Sequence, residues 1–154
     1  MDIIDIHISL RAAIDDALSR AVAVAGLVVI ALIHVLQSPD AFDEVGYLGA
    51  LFIAVTVACG IVAAALTRTT DSRVWAAAGG LAGLILLGYI ISRSVGLPGF
   101  TGDIGEWAEP PGLVAMVVEG LLVVLSGAVL AARRPLMSPA TERQPVGHAP
   151  AHPA

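Results

Sequence analysis

The sequence predicts an all-α integral membrane protein, an antiparallel four-helix bundle with both termini in the cytoplasm. Hydrophobic residues make up 57% of the 154 positions and charged residues only 14%, whereas soluble domains carry about 25% charged residues. The apolar residues are gathered into four runs, at about 21–37, 45–66, 74–91 and 112–132. At about 1.5 Å per helical residue, each run is long enough to cross a hydrocarbon core of roughly 30 Å.

The positions of the arginines predict the orientation of the four spans. All eight basic residues are arginines, and seven of them flank one set of span ends: Arg11, Arg20, Arg68, Arg73, Arg133, Arg134 and Arg143. Arg93 alone lies on the opposite side, where the connections are acidic. Because positively charged loops stay in the cytoplasm, we expect connections 38–44 and 92–111 to lie outside a bacterial plasma (inner) membrane.

Residues 1–20 form an N-terminal segment ahead of the membrane domain at 21–134. The spacing of Leu10, Ile14 and Leu18 places apolar side chains on one helical face. Two structures fit this pattern: an amphipathic helix at the cytoplasmic membrane surface, or a helical extension of the first span. The segment is acidic and is not followed by a signal-peptide cleavage pattern, so we expect the first helix to be retained.

Residues 135–154 are predicted to form a disordered cytoplasmic tail, because prolines recur there without any apolar periodicity. His148 and His152 are four residues apart, a spacing that suits a metal on a helix. Pro150 and Pro153 disrupt such a helix, so we expect no metal site in the tail.

Several classes of function are excluded or disfavoured. The net charge of −5, without a clustered basic face, gives no sign of a nucleic-acid partner. The single cysteine, Cys59, lies in the second run and cannot form an internal disulfide. His34 is the only histidine in a span, and no nucleophile motif is recognisable. We therefore expect a non-enzymatic protein without a cofactor.

Ionisable residues near the outer ends of the spans form the candidate site. His34 lies near the outer end of the first span, and Arg93 caps the third with Tyr89 one turn below it. Glu119 lies about 10 Å inside the fourth span. An unpaired charge in hydrocarbon costs about 2.5–3.5 kcal/mol on insertion scales, so such groups face the bundle interior and find partners. We expect His34, Arg93 and Glu119 to meet there.

More than one role is open for each of these residues. Glu119 is either a protonatable carboxyl suited to proton-coupled ligand binding or half of a structural ion pair with Arg93. His34 either hydrogen-bonds a neighbouring carbonyl or joins Glu119 and an outer carboxylate around a metal. The candidates for ligand binding or ion pairing are His34, Arg93, Glu119, Tyr89 and Glu109, and the candidates for a metal are His34, Glu119, Asp103 and Glu106.

The connection between the third and fourth runs is longer than a plain connector requires. Gly96, Pro98 and Gly99 are turn formers, and acidic residues follow them. They predict a shaped loop, either a lid over the His34–Glu119 region or a docking surface for a partner.

Small residues recur at helical spacing in two of the spans. They are Ala50, Ala54 and Ala58 in the second run, and Gly79 and Gly83 in the third. Such faces let helices approach closely, either within the bundle or against another chain. Besides the lipid bilayer, we therefore expect a partner that is a second copy or a larger membrane complex. This favours an accessory or assembly subunit; the alternative is a small transporter-like or sensor-like protein that binds a ligand, proton or metal in the outer half.

Part of the chain carries an ordered set of polar and turn residues: a His, then Pro-x-x-Phe, Ser-Arg-x-x-Gly-Leu-Pro, Glu-Pro and a final intramembrane Glu. The positions are His34, Pro39, Phe42, Ser92, Arg93, Gly96, Leu97, Pro98, Glu109, Pro110 and Glu119. Over about residues 22–132 this pattern resembles a group of small four-span membrane proteins of high-GC Gram-positive bacteria. The resemblance implies the fold and a single outer site, and it implies no particular activity.

Overall fold

Four helices account for the regular structure of the described part of the chain. The computed structural model describes residues 3–133, with side chains from residue 10 onward; the predicted tail at 135–154 lies outside this range. The helices are α1 (Ile3–Glu44), α2 (Gly46–Arg68), α3 (Ser72–Ser94) and α4 (Pro110–Ala132). Each is long and apolar enough to cross a membrane. The prediction of an all-helical protein with four potential membrane spans is confirmed.

The outer surface of this bundle is apolar. Leu36, Leu84, Leu121 and Val124 each expose about two thirds of their area, and many other large aliphatic side chains are similarly exposed. Contiguous apolar surface of this kind associates or aggregates in water, whereas in a bilayer it contacts lipid chains of matching polarity. The surface therefore fits a multi-pass membrane protein.

The packed core occupies one half of the bundle, where α2 ends and α3 begins. Its completely buried residues are Ala23, Leu27, Ile30, Cys59, Leu66, Trp75, Ala78 and Ala82. Leu122 of α4 closes this cluster. The core is solid because small residues alternate with large ones across the helix contacts, so that the side chains interdigitate.

Helix α1 is longer than the sequence predicts, since the expected connection at 38–44 is helical. Pro39 has no N–H to donate to the Val35 carbonyl. The Ser38 hydroxyl donates to that carbonyl instead, at 2.8 Å, so the helix continues past the proline to Glu44. Val45 alone separates α1 from α2.

At the other end, α1 includes the N-terminal segment without a break from Ile3. The prediction that residues 1–20 are helical is confirmed from Ile3 onward. Asp16 accepts a hydrogen bond from Nη2 of Arg133 at 2.6 Å and pairs with Arg20 at 2.8 Å. This part of α1 is thereby fixed to the end of α4.

The small residues of α3 serve packing within the chain. A Cβ atom added at Gly79 would lie 2.8 Å from Cβ of Ser126 in α4, which is shorter than carbon atoms tolerate. Gly83, one turn on, lies near Val123 of α4. The Gly79–Gly83 pair therefore sets the close approach of α3 and α4.

A matched pair of substitutions tests this packing. We expect Gly79→Ala to be about 1–3 kcal/mol less stable than Gly80→Ala, because overpacking a close contact costs that much. A Cβ at Gly80 meets nothing within 4 Å, and both changes alter helix propensity equally. Thermal unfolding of the detergent-purified variants measures the difference. Equal stability of the two variants would show that α3 and α4 do not approach this closely.

Candidate functional site

A cavity of about 500 Å³ lies in the half of the bundle that the core leaves unfilled. Its walls are the C-terminal parts of α1 and α3, the N-terminal parts of α2 and α4, and the α3–α4 connection. The apolar lining residues are Ile33, Ala41, Leu48, Leu51, Phe52, Val55, Leu81, Leu84, Ile85, Leu97, Phe100 and Ala115. A cavity of this size accommodates a small organic molecule, since ligand pockets span about 300–1,000 Å³.

Three of the residues that the sequence singles out line this cavity. His34, Arg93 and Glu119 all line it, together with Tyr89 and Glu109. They come from α1, α3, α4 and the connection before α4, so the site exists only when the helices are assembled.

Glu119 is the most isolated polar group of the site. Its side chain is 1% exposed, and neither carboxyl oxygen has a hydrogen-bond partner among the residues that the structure describes. Of the two roles predicted for Glu119, the ion pair with Arg93 does not form, because Arg93 pairs with Asp103 and Glu109. Ala115 and Gly112, one and two turns earlier on α4, also line the cavity. At Gly112 the Tyr89 ring occupies the place of a side chain, since a Cβ added there would lie 2.7 Å from Cε2 of Tyr89.

His34 makes the local hydrogen bond that was one of its two predicted roles. Its Nδ1 lies 2.9 Å from the carbonyl oxygen of Ile30. Since a carbonyl only accepts, Nδ1 carries the hydrogen and Nε2 of a neutral ring keeps its lone pair. The ring also meets the Phe52 ring edge-on, with 5.0 Å between centroids. His34 is thus held in place and retains one free acceptor.

Arg93 is buried, with 6% of its side chain exposed, and forms ion pairs with Asp103 and Glu109. The Ser92 hydroxyl also donates to Oδ2 of Asp103 at 3.0 Å. The guanidinium lies 5.1 Å from the centre of the Tyr89 ring, a cation–π contact. Two carboxylates and an aromatic face therefore surround this arginine, although its buried Nε has no hydrogen-bond partner among the described residues.

The α3–α4 connection is folded over the cavity. Leu97 and Phe100 exchange backbone hydrogen bonds of 2.7 and 2.8 Å, which close a tight turn. Gly96 has φ +82°, a conformation that side chains disfavour. The Tyr47 hydroxyl of α2 donates to the Pro98 carbonyl at 2.7 Å. The predicted shaped loop thus covers the site, with Leu97 and Phe100 in the cavity wall.

The metal site that the sequence left open does not form. Within the described residues, no three His, Cys, Asp or Glu side chains lie close enough together to hold a metal ion. Glu106 is exposed and lies outside the cavity lining. Asp103 lines the cavity but is engaged with Arg93.

Sequence reasoning missed the part of the site that α1 provides beyond Pro39. Asp40 and Glu44 line the cavity, because the helix continues through residues that read as a connection. Their distances from His34 along the chain, six and ten residues, place them on one broad helical face with it. That spacing would have identified them if the helix had been extended past the proline.

No protein family matches this chain, and neither a curated protein nor a solved structure is significantly similar to it. Function is therefore inferred from the cavity and its residues.

Removing Arg93 should release the connection over the cavity. We expect Arg93→Gln to speed amide exchange at Leu97, Phe100 and Gly105 at least tenfold, which corresponds to about 1.4 kcal/mol of local stability. The reason is that Asp103 and Glu109 lose their shared cation. Hydrogen exchange followed by mass spectrometry measures the effect.

The control is Arg68→Gln, which removes an exposed arginine at the end of α2. It should leave exchange in the connection unchanged. Unaltered exchange in Arg93→Gln would mean that the turn and its glycines hold the connection without the ion pairs.

Proposed function

We propose that this protein is a multi-pass protein of a bacterial plasma membrane that binds a small organic molecule in the cavity, as a small transporter or sensor does. Its bundle is antiparallel, with both termini in the cytoplasm and the cavity in the outer half. The asymmetric distribution of the arginines supports this orientation. The pattern shared with small four-span proteins of high-GC Gram-positive bacteria supports the bacterial source.

The observation that carries the proposal is the state of Glu119. Its buried carboxyl has no partner in the described part of the chain, although a partnerless polar group in an apolar interior costs free energy. Arg93 shows that this fold can supply partners for a buried charge where stability requires them. A carboxyl left without one, in the wall of a cavity of ligand size, is the arrangement expected of a binding group.

We also propose a second function, an accessory subunit that docks to a larger membrane complex. A specific observation favours it: Ala50 and Ala54 stay exposed on α2, whereas Gly79 and Gly83 are used inside the bundle. Trp107 of the outer connection is also exposed. A stoichiometric partner retained in mild detergent by the wild-type protein, but not by Ala54→Trp, would support this function over ligand binding.

Chemical labelling of Glu119 tests whether small molecules reach the cavity. Dicyclohexylcarbodiimide is an apolar reagent; a protonated carboxyl adds across its N=C bond, and the O-acylisourea rearranges to a stable N-acylurea. We expect the reagent to modify Glu119 in protein reconstituted in lipid nanodiscs at pH 6. Peptide mass spectrometry locates the product.

Two glycines of α3 provide a matched control for this labelling. A side chain at either Gly80 or Gly88 meets nothing within 4 Å at its Cβ, but only Gly88 lines the cavity. Gly88→Phe should therefore reduce the labelling of Glu119 at least fivefold, and Gly80→Phe should not. Absence of labelling in the wild-type protein would contradict a ligand-accessible cavity.

A further inference from the structure

We propose that the ligand is an amphipathic organic cation, an apolar body carrying one protonated amine, and that the amine binds beside Glu119. This rests on the proposed function and deepens it. The proposal combines three features of the cavity: its charge, its apolar walls and its opening toward lipid.

The charge of the cavity favours a cation. Five carboxyl side chains line it against a single arginine: Asp40, Glu44, Asp103, Glu109 and Glu119. Arg93 is already paired with two of these carboxylates, so its positive charge is compensated within the site. A positively charged group entering the cavity is attracted, and a negatively charged one is repelled.

The position of Glu119 defines where the amine binds. The other four carboxyls come from the end of α1 and the outer connection, whereas Glu119 lies deeper, seven residues beyond Gly112 on α4. Its two oxygens have no donor within the described chain, and an ammonium group supplies such donors. Charge-assisted hydrogen bonds of this type are about twice as strong as neutral ones.

His34 contributes an acceptor to the same cavity. Because its Nδ1 is committed to Ile30, the lone pair of Nε2 is the hydrogen-bonding capacity that remains to the neutral ring. A histidine held in this tautomer suits a ligand that donates hydrogen bonds. It does not suit an anion, which would need a donor in its place.

The walls of the cavity and its opening toward lipid indicate that the ligand has an apolar body. Leu51 of α2 and Leu84 of α3 line the cavity, yet they are 51% and 70% exposed. One side of the cavity therefore opens between α2 and α3 onto the surface that faces lipid chains. An apolar molecule dissolved in the bilayer reaches the cavity through this side without first crossing water.

Three compounds with one skeleton test the charge preference: N,N-dimethyl-4-phenylbutylamine, 4-phenylbutanol and 4-phenylbutyrate. Calorimetric titration is made on the full chain in phosphatidylcholine nanodiscs, with empty nanodiscs subtracted. We expect the amine to bind at least tenfold more tightly than the alcohol, and the carboxylate more weakly than either. This comparison needs only the wild-type protein, so it does not depend on the folding of a variant.

Two variants then assign the preference to one carboxyl. Glu119→Gln should lower the affinity for the amine at least tenfold and leave the affinity for the alcohol unchanged. Glu106→Gln is the matched control, because Glu106 is an exposed acid outside the cavity lining, and it should change neither. The amine, but not the alcohol, should also protect Glu119 of the wild-type protein from dicyclohexylcarbodiimide.

The outcomes separate the two proposals. If Glu119 is labelled in a cavity-dependent way but the alcohol or the carboxylate binds as tightly as the amine, the cavity binds ligands and the cationic class is wrong. Retention of the amine affinity in Glu119→Gln would likewise overturn the assignment. If Glu119 is not labelled at all, the proposed function fails, and the cationic ligand fails with it.

Discussion

The structure depends on one constraint, that polar groups placed in hydrocarbon must find their partners within the protein. Arg93 satisfies it by pairing with Asp103 and Glu109 of the following connection. The carbonyl of Val35 satisfies it through the Ser38 hydroxyl. Glu119 departs from it, since its carboxyl is buried and has no partner in the described chain. Trp75 Nε1 and Ser126 Oγ are likewise buried without a partner there, but of these three residues Glu119 is the one that lines the cavity.

The size of the side chains at the helix contacts decides which half of the bundle is densely packed. In the half that holds Trp75, large and small side chains alternate and fill the space. Gly79 draws α3 against α4 near Ser126. Toward the other end, Gly112 and Ala115 of α4 line the cavity, and the missing side chain of Gly112 makes room for the Tyr89 ring. One end is therefore built for rigidity, and the other holds a volume of ligand size.

The sequence predicts the four helices, because the length of an apolar run is a local property of the chain. It also places His34, Arg93 and Glu119 in the same outer part of the spans, and the structure puts all three in the cavity wall. It does not predict the partners of Arg93, since several acidic residues follow it and only the folded turn selects Asp103 and Glu109. It ends α1 too early, because Pro39 usually stops a helix and the compensation by Ser38 depends on side-chain geometry. The cavity is not predictable in this way, as it results from packing between four helices.

The measurement that tests the role of Glu119 most directly is the thermal stability of Glu119→Met beside that of the wild-type protein. Methionine resembles glutamate in length and carries no charge, so it removes the partnerless carboxyl with little change in volume. If Glu119 is retained for binding, we expect the variant to unfold at a temperature equal to or several degrees above that of the wild type. A loss of stability as large as that of Arg93→Gln would show that the carboxyl holds the bundle together, and would contradict its assignment as the binding group.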